Sequence, residues 1–436
     1  MNINKAKYIH FIGIGGIGTS AIAQILHNKG KKISGSDLVP SELTKSLKLS
    51  GIDVKIGHEE SFINKKHDLI VYSPAIPNSN PELKKAKELK IKTISYSHAL
   101  GQLTKDHFTI AVAGTHGKST TTAMIALIAT KAGLDPSVVI GTKIKQFKNR
   151  NFRVGDSNLL IIEACEYKRT FLHVHPDILV LTNIEADHLD YYKDLEDYKN
   201  AFKDLAKRVS KKGAIIINEK GAHLKDIVGD AKCPIIAWKN TGNLKPKVPG
   251  KFNIENAENA ATACKTLGID NKIIEKVISN FGGTWRRMEI KRKKGYTCTF
   301  IDDYAHHPTE IQLTLATIRE QNPTSKILCI FQPHQYSRTH HLLKEFGRSF
   351  YDVDKVIIPN IYRVRDTQED IEKVSTDDLV AEINNTRKRS GRAKKHKASN
   401  GHGLRETADY IKKNSSKFDI IITMGAGDIT DIYRML

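Results

Sequence analysis

Short apolar runs and amphipathic stretches alternate along the whole chain. From Lys7 to about Ser97 the runs YIHFIGI, KKISGSD, DLIVYS and KTISY are separated by helical stretches such as Ala21 to Asn28 and Pro81 to Leu89. A second series begins at Phe108 with FTIAVAG and continues through NLLIIEA, DILVLTN and GAIIIN, with helical stretches after Lys118 and after Asp194. A third starts beyond Arg287, where TCTFIDD, KILCIFQPH, KVIIPN and FDIIITMGAGD are the strand candidates. Strand and helix in alternation predict parallel sheets with helices on their faces, so the expected class is α/β. No short-period repeat is present, which argues against a solenoid. The 436 residues divide along these series into three expected domains, 1–106, 107–286 and 287–436, each able to bury its own core.

The turns between these elements carry the candidate chemistry. YIHFIGI runs directly into Gly13, Gly15, Gly16 and Gly18 and then a helix, a context that lets backbone N–H groups approach a pyrophosphate at the helix N-terminus. Asp37 ends the second strand about where a ribose-binding acid would stand. Taken alone, this Rossmann-like turn fits a dinucleotide dehydrogenase, any other diphosphate binder, or a tight turn with no ligand. The strand FTIAVA leads into Gly114, Thr115, His116, Gly117, Lys118, Ser119 and Thr120, followed by a helix-like stretch. Such a loop turns its N–H groups toward phosphate oxygens, Lys118 neutralises β- and γ-phosphate charge, and Ser119 can ligate Mg²⁺. This is a P-loop-like nucleoside triphosphate site, shortened because Val112 stands where the usual first glycine would be.

Glu163 and His188 stand at the ends of the next strands, in IIEACEY and TNIEADHLDYY, with Glu166 as a nearby spare carboxylate. Strand C-termini of an open parallel sheet face the ligand crevice, so this pair could hold a second Mg²⁺; a structural histidine is the plainer reading of His188. In the third series the polar clusters Phe281 to Arg287, Asp302 to Pro308 and Pro333 to Arg338 adjoin strands. Arg338 suits a carboxylate because its fork binds both oxygens.

Composition narrows the class without choosing a ligand. Hydrophobic residues make up 39% and charged residues 27%, as in ordinary globular proteins. No stretch approaches the roughly 20 apolar residues of a membrane helix, and the N-terminus lacks the apolar core and cleavage site of a secretory signal. Cys165, Cys233, Cys264, Cys298 and Cys329 form no C-x-x-C pair, which fits a reducing cytosol. The formal net charge of +21 favours anionic partners, nucleotides or nucleic acid. The densest tract, Arg387 to Lys397, has no interleaved aromatic to stack on bases and reads as an exposed loop.

In their order, GIGGIG, GTHGKST, TNIEADHLDYY, GTWRR, DDYAHHPTE, FQPHQYSRT and the terminal GAGD resemble the Mur ligase family over essentially the whole chain. The resemblance implies three domains that bind UDP-sugar, ATP and amino acid in turn: Rossmann-like, P-loop ATPase-like and Rossmann-like. DDYAHHPTE and FQPHQYSRT look like the first ligase of the family, which implies ATP-dependent joining of L-alanine to the lactyl carboxylate of UDP-N-acetylmuramate through an acyl phosphate. Gly13, Gly15, Gly16, Gly18 and Asp37 would then hold the UDP-sugar, and residues 114 to 120 would hold ATP. Asn253 and Asn256 match the family's adenine contact, Arg287 its γ-phosphate contact and Asp303 its nucleoside contact. Ser119, Glu163 and His188 match its Mg²⁺ positions, and Tyr304, His306, His334 and Arg338 its amino-acid pocket. Lys118, His188, Arg287, His306 and His334 are the implied catalytic residues, with His306 or His334 as a possible base for the amine. Three positions depart from the family pattern. Cys165 replaces a common acid, Phe252 stands where a histidine usually precedes Asn253, and Gln335 stands where an arginine is frequent, which leaves Arg338 as the main cation for the amino-acid carboxylate.

Overall fold

The computed structural model describes residues 3–240, 242–389 and 397–436. They form two compact units. The first comprises residues up to Asp187 with Asp194–Lys247 and Asn253–Phe281; the second comprises His188–Lys193, Val248–Phe252 and Gly282–Leu436.

The first unit contains two sheets. Strands β1 (Tyr8–Ile12), β2 (Lys32–Asp37), β3 (Asp53–Ile56), β4 (Leu69–Tyr72) and β5 (Lys92–Ser95) lie in the order β3-β2-β1-β4-β5, all parallel. The other sheet is built from β6 (Phe108–Ala113), β7 (Ser137–Ile144), β8 (Arg150–Arg153), β9 (Leu159–Glu163), β10 (Ile178–Leu181), β11 (Ala214–Asn218) and β12 (Ile235–Trp238). Its order is β12-β11-β10-β6-β9-β7-β8, parallel except for the β7/β8 pair. In both sheets the order reverses beside the strand that carries a glycine turn, β1 or β6, and ligand crevices of open α/β sheets form at such a switch point. The sheets are tied together where Asn151 Nδ2 donates to the Ile17 carbonyl at 2.6 Å. At Gly101 a Cβ would lie 2.3 Å from the His173 carbonyl oxygen, so glycine permits the close approach there.

The second unit holds β13 (Glu289–Lys291), β14 (Thr299–Asp303), β15 (Ile327–Phe331), β16 (Lys355–Ile358), β17 (Lys397–Asn400) and β18 (Ile420–Met424), in the order β13-β14-β18-β15-β16-β17. Only the β13/β14 pairing is antiparallel. Phe331, Phe346 and Phe350 pack with Ile327 and Ile422 on one face, while Phe300, Ile330, Ile421 and Ile432 fill the other. Burial on both faces is why these central strands read as unbroken apolar runs.

Several elements differ from the sequence expectation. The first helix starts at Ile17 instead of Ala21, immediately after the Gly16 cap. Strands β3, β7, β8, β12, β13 and β17 form outside the expected strand segments, although β7 (SVVIGTKI) and β12 (IIAW) carry apolar runs. Of the basic tract, Arg387–Arg389 end the helix Thr376–Arg389 and Lys397 begins β17; residues 390–396, where the exposed loop was expected, lie outside the described residues. Among the described residues no helix is long and apolar enough to cross a membrane.

Candidate active site

The first glycine turn is braced by β2. Gly13, at φ 77°, and Ile14 both donate their backbone N–H to the Ser36 carbonyl at 2.9 Å, and the Gly15 N–H donates to Asp37 Oδ2 at 2.8 Å. Asp37 therefore shapes the turn directly, beside any role toward a ribose. Gly18 has no room for a side chain: its Cβ would lie 2.4 Å from the Tyr96 hydroxyl. Tyr96 thus packs against the helix start where a diphosphate would meet the N–H groups. Loss of water first, then the nearby Cys165 and Glu163, push the Tyr96 phenol well above its ordinary pKa and keep it protonated.

The second turn follows β6 and opens the helix Lys118–Lys131. Gly114 adopts φ 137° and Gly117 φ 80°, left-handed backbone that favours glycine. The loop is fixed from β10 outward. The Thr115 N–H donates to the Asn183 carbonyl at 2.9 Å, the His116 N–H to Asn183 Oδ1 at 2.9 Å, and Thr182 Oγ1 donates to the His116 carbonyl at 2.6 Å. Asn183 lies in the TNIEADH stretch but had no assigned role; its position just past a strand end beside the phosphate loop was the available signal.

Lys118 Nζ donates to the Gly114 carbonyl at 2.6 Å and the Thr115 carbonyl at 2.9 Å, and pairs with Glu166 Oε1 at 3.0 Å. Burial works against its charge, but Glu166, with Cys165 and Glu163, more than offsets that and raises the pKa above the ordinary lysine value. Glu166 is therefore the counter-charge of Lys118. Ser119 Oγ donates to Glu163 Oε2 at 2.8 Å, and the Gly141 N–H donates to the same oxygen at 2.7 Å. A hydroxyl and a carboxylate converging beside a phosphate loop are the oxygen donors that Mg²⁺ takes, so these residues fit that ion. Thr120 is buried on the same helix. Asn256, buried, faces the loop: a Cβ on Gly117 would lie 2.2 Å from Asn256 Oδ1, and Thr121 Oγ1 donates to that oxygen at 3.2 Å. Asn253 lies one helical turn back, 3.5 Å from Asn256 Nδ2.

His188 falls in the second unit, so Glu163 and His188 are divided between the two units. Its backbone is left-handed at φ 54°, and its carbonyl accepts the Tyr191 and Tyr192 N–H groups at 2.9 Å.

In the second unit Tyr304 and His306 follow β14, His334 follows β15, Arg338 lies in the helix Tyr336–His341, and Arg287 precedes β13. His306 Nδ1 lies 3.1 Å from the Tyr304 carbonyl oxygen and 3.4 Å from Glu310 Oε2, and its ring is 6.1 Å from that of His334. His334 stacks on Tyr362 at 5.7 Å, and Arg338 Nη1 donates to the His334 carbonyl at 3.1 Å. Arg287 lies over the Tyr304 ring at 5.2 Å and 3.4 Å from Glu310. Tyr304, His306, His334 and Arg338 thus come together, joined by Glu310 and Tyr362, which the motifs alone did not single out. Gln335 is buried at φ 78°, with its N–H donating to the Tyr362 carbonyl at 2.9 Å.

Asp303 is buried, and its two oxygens accept the Met288 and Ala305 N–H groups at 2.7 and 2.8 Å. Burial raises its pKa to about 6 despite the opposing effects of Arg287 and the two N–H groups. Neighbouring Asp302 receives Arg286 Nε at 3.2 Å; the same guanidinium donates to the Gly425 carbonyl at 2.6 Å and the Gly427 carbonyl at 3.2 Å, so GTWRR is pinned to GAGD.

Comparison with known proteins agrees with this layout. Residues 8–108 match the model of the Mur ligase family catalytic domain, 112–244 that of the Mur ligase middle domain, and 286–427 that of the Mur ligase glutamate ligase domain. The UDP-N-acetylmuramate--L-alanine ligase of Clostridium perfringens is 38% identical, covering 98% of this chain and 96% of its own. The protein of the same name from Acetivibrio thermocellus is 40% identical, covering 99% and 96%. Among solved structures, the UDP-N-acetylmuramate-alanine ligase of Thermotoga maritima superposes with a TM-score of 0.77 at 26% identity, over 98% of this chain and 97% of its own. A murein peptide ligase of Psychrobacter arcticus has the same fold, with a TM-score of 0.70 at 22% identity over 98% of both chains. Relatives this similar over nearly the full length leave one assignment: the chain belongs to the Mur ligase family.

Proposed function

We propose that this protein joins L-alanine to the lactyl carboxylate of UDP-N-acetylmuramate in an ATP-dependent reaction that yields ADP and phosphate, a step of peptidoglycan precursor synthesis in the cytoplasm. The reading rests on near-full-length relatives that carry that activity in their names. It is supported by a phosphate loop in which Lys118 pairs with Glu166 and Ser119 donates to Glu163, which sets a cation and oxygen donors beside the phosphates.

A carboxylate resists attack by an amine because oxide is a poor leaving group. Transfer of the γ-phosphoryl group to the lactyl carboxylate gives an acyl phosphate whose leaving group is phosphate. Two anions must approach, so Lys118 and Arg287 act by lowering their repulsion. Bound Mg²⁺ supplies further positive charge to the phosphate oxygens, and Ser119, Glu163 and His188 are the residues that would hold it. Glycines 13 to 18 take the diphosphate of the UDP-sugar, the loop from Gly114 to Thr120 the phosphates of ATP, and Asn253 with Asn256 the adenine. Asp303 stands at the nucleoside and fixes the backbone on either side of the β13/β14 pair through Met288 and Ala305. Arg338 receives the carboxylate of alanine beside Tyr304, and His306 or His334 accepts the proton that its ammonium must lose before attack. The three binding functions map onto residues 1–106, 107–286 and 287–436.

The test is phosphate release from ATP with UDP-N-acetylmuramate and L-alanine, L-serine, glycine or a cell-wall tripeptide as acceptor. Release that needs both the UDP-sugar and L-alanine supports the proposal. Release with the tripeptide alone moves the assignment to a peptide-recycling ligase.

A further inference from the structure

The N-terminal sheet contains a buried carboxylate that the reaction does not use. Glu82, fully buried, sits in the first turn of the helix Pro81–Glu88, where Asn80 Oδ1 caps the Glu82 N–H at 2.9 Å. Its Oε2 lies 2.8 Å from His10 Nε2. Its Oε1 accepts Ser36 Oγ at 2.6 Å and lies 2.6 Å from His58 Nδ1. One side chain thus holds three segments: His10 in β1, Ser36 in β2 and His58 just beyond β3. Burial works against its charge, yet the bonds from His10 and Ser36, and then His58, hold the carboxyl below its ordinary pKa.

The first of these segments leads into the first glycine turn, and the end of β2 braces it. The Ser36 carbonyl accepts the Gly13 and Ile14 N–H groups, Asp37 Oδ2 accepts the Gly15 N–H, and the Asp37 carbonyl accepts the Gly57 N–H, next to His58. We propose that Glu82 is a positioning residue for UDP-sugar binding, acting through Ser36, Asp37 and His58 to fix the glycine turn without touching the ligand. The inference rests on the assignment of that turn to the UDP-sugar.

A buried ion costs several-fold more to leave unpaired than a neutral group, so such a carboxylate persists only where its donors are fixed, and it fixes them in return. Glu82→Gln keeps the volume and removes the charge to which both imidazoles are paired. Ser36→Ala removes one donor and leaves the Ser36 carbonyl in place.

The experiment measures UDP-N-acetylmuramate affinity by calorimetry and the steady-state KM for each substrate, in the full chain. Glu82→Gln is expected to weaken the UDP-sugar about tenfold and Ser36→Ala about threefold, with the KM for ATP and L-alanine within about twofold of wild type. Thermal melting of each variant is recorded beside these. A lower melting temperature with unchanged UDP-sugar affinity, or an equal change in all three KM values, overturns the proposal. If Glu82→Gln does not fold, Ser36→Ala decides alone, and an unshifted KM for the UDP-sugar overturns it. Wild-type chain that binds no UDP-sugar overturns the ligand assignment itself, an outcome distinct from equal binding by wild type and variants.

Discussion

The Lys118 ammonium lies 3.0 Å from Glu166 Oε1, a carboxylate that is 1% exposed, and it also reaches the loop carbonyls of Gly114 and Thr115. The lysine is therefore placed, and its charge balanced, by protein groups. Lys118→Ala is expected to cut phosphate release by about a hundredfold or more, since a fixed charge aimed at the transferring group is lost. Glu166→Ala leaves a largely buried ammonium with its main counter-charge gone and should lower unfolding free energy by roughly 3 kcal/mol, read by urea denaturation. Unchanged stability in that variant would argue that water replaces the carboxylate.

The phosphate loop tolerates no added carbon. A Cβ on Gly114 would lie 2.1 Å from Thr182 Oγ1, and one on Gly117 2.2 Å from Asn256 Oδ1, both at positive φ. Gly117→Ala is therefore expected to abolish measurable ATP binding by displacing Asn256 as well as straining the loop. Gly133→Ala is the control: it shares the positive φ but meets nothing within 4 Å, so it should cost about 1 kcal/mol of stability and leave the ATP affinity unchanged.

Asp303 gives a pH dependence of defined sign. Its folded pKa of about 6 lies above the unfolded value of roughly 4, so between these limits the folded state binds more protons, and its contribution to stability falls as pH rises. Below about pH 4 the group is neutral in both states, and above about pH 6 it is ionised in both. Relative to Asp303→Asn, the wild type should thus lose on the order of 1–3 kcal/mol between those two pH values and then stay level. A difference that instead grows in favour of the wild type would mean that Arg287 outweighs burial.

Arg286 is 2% exposed and uses its fork on Asp302 and on the carbonyls of Gly425 and Gly427. Lysine keeps the charge but cannot reproduce three directed bonds. Arg286→Lys is expected to destabilise the second unit by roughly 3 kcal/mol, with faster amide exchange around Gly425 as the local readout. Protection equal to wild type there would show that GAGD is held by something else.

The sequence exposed the glycine turns because each is local: strand, turn and helix follow one another within a few residues, and the ligand chemistry sits in the turn itself. The central strands were legible because burial on both faces leaves an apolar run. Strands β3, β7, β8, β12, β13 and β17 were not; all but β7 lie at sheet edges, where one side of the strand is open and the sequence is short or polar, as in KASN or RNFR. The links of Glu82 to His10, Ser36 and His58 span 72, 46 and 24 residues, so no spacing rule could join them. The same holds for Tyr362, which meets His334 only because β16 pairs with β15.

The place of β18 between β14 and β15 also sets an order of events during synthesis. Ile420 to Met424 pair with residues about 121 positions earlier on one side and 93 on the other. Contacts of such long separation close slowly, because the intervening chain must be ordered before they repay its lost freedom. During synthesis the β13/β14 pair and the β15/β16/β17 set therefore cannot join into one sheet until β18 is made. Until it emerges, β14 and β15 lack the strand that lies between them, and the apolar faces that carry Phe300 and Phe331 are incompletely covered.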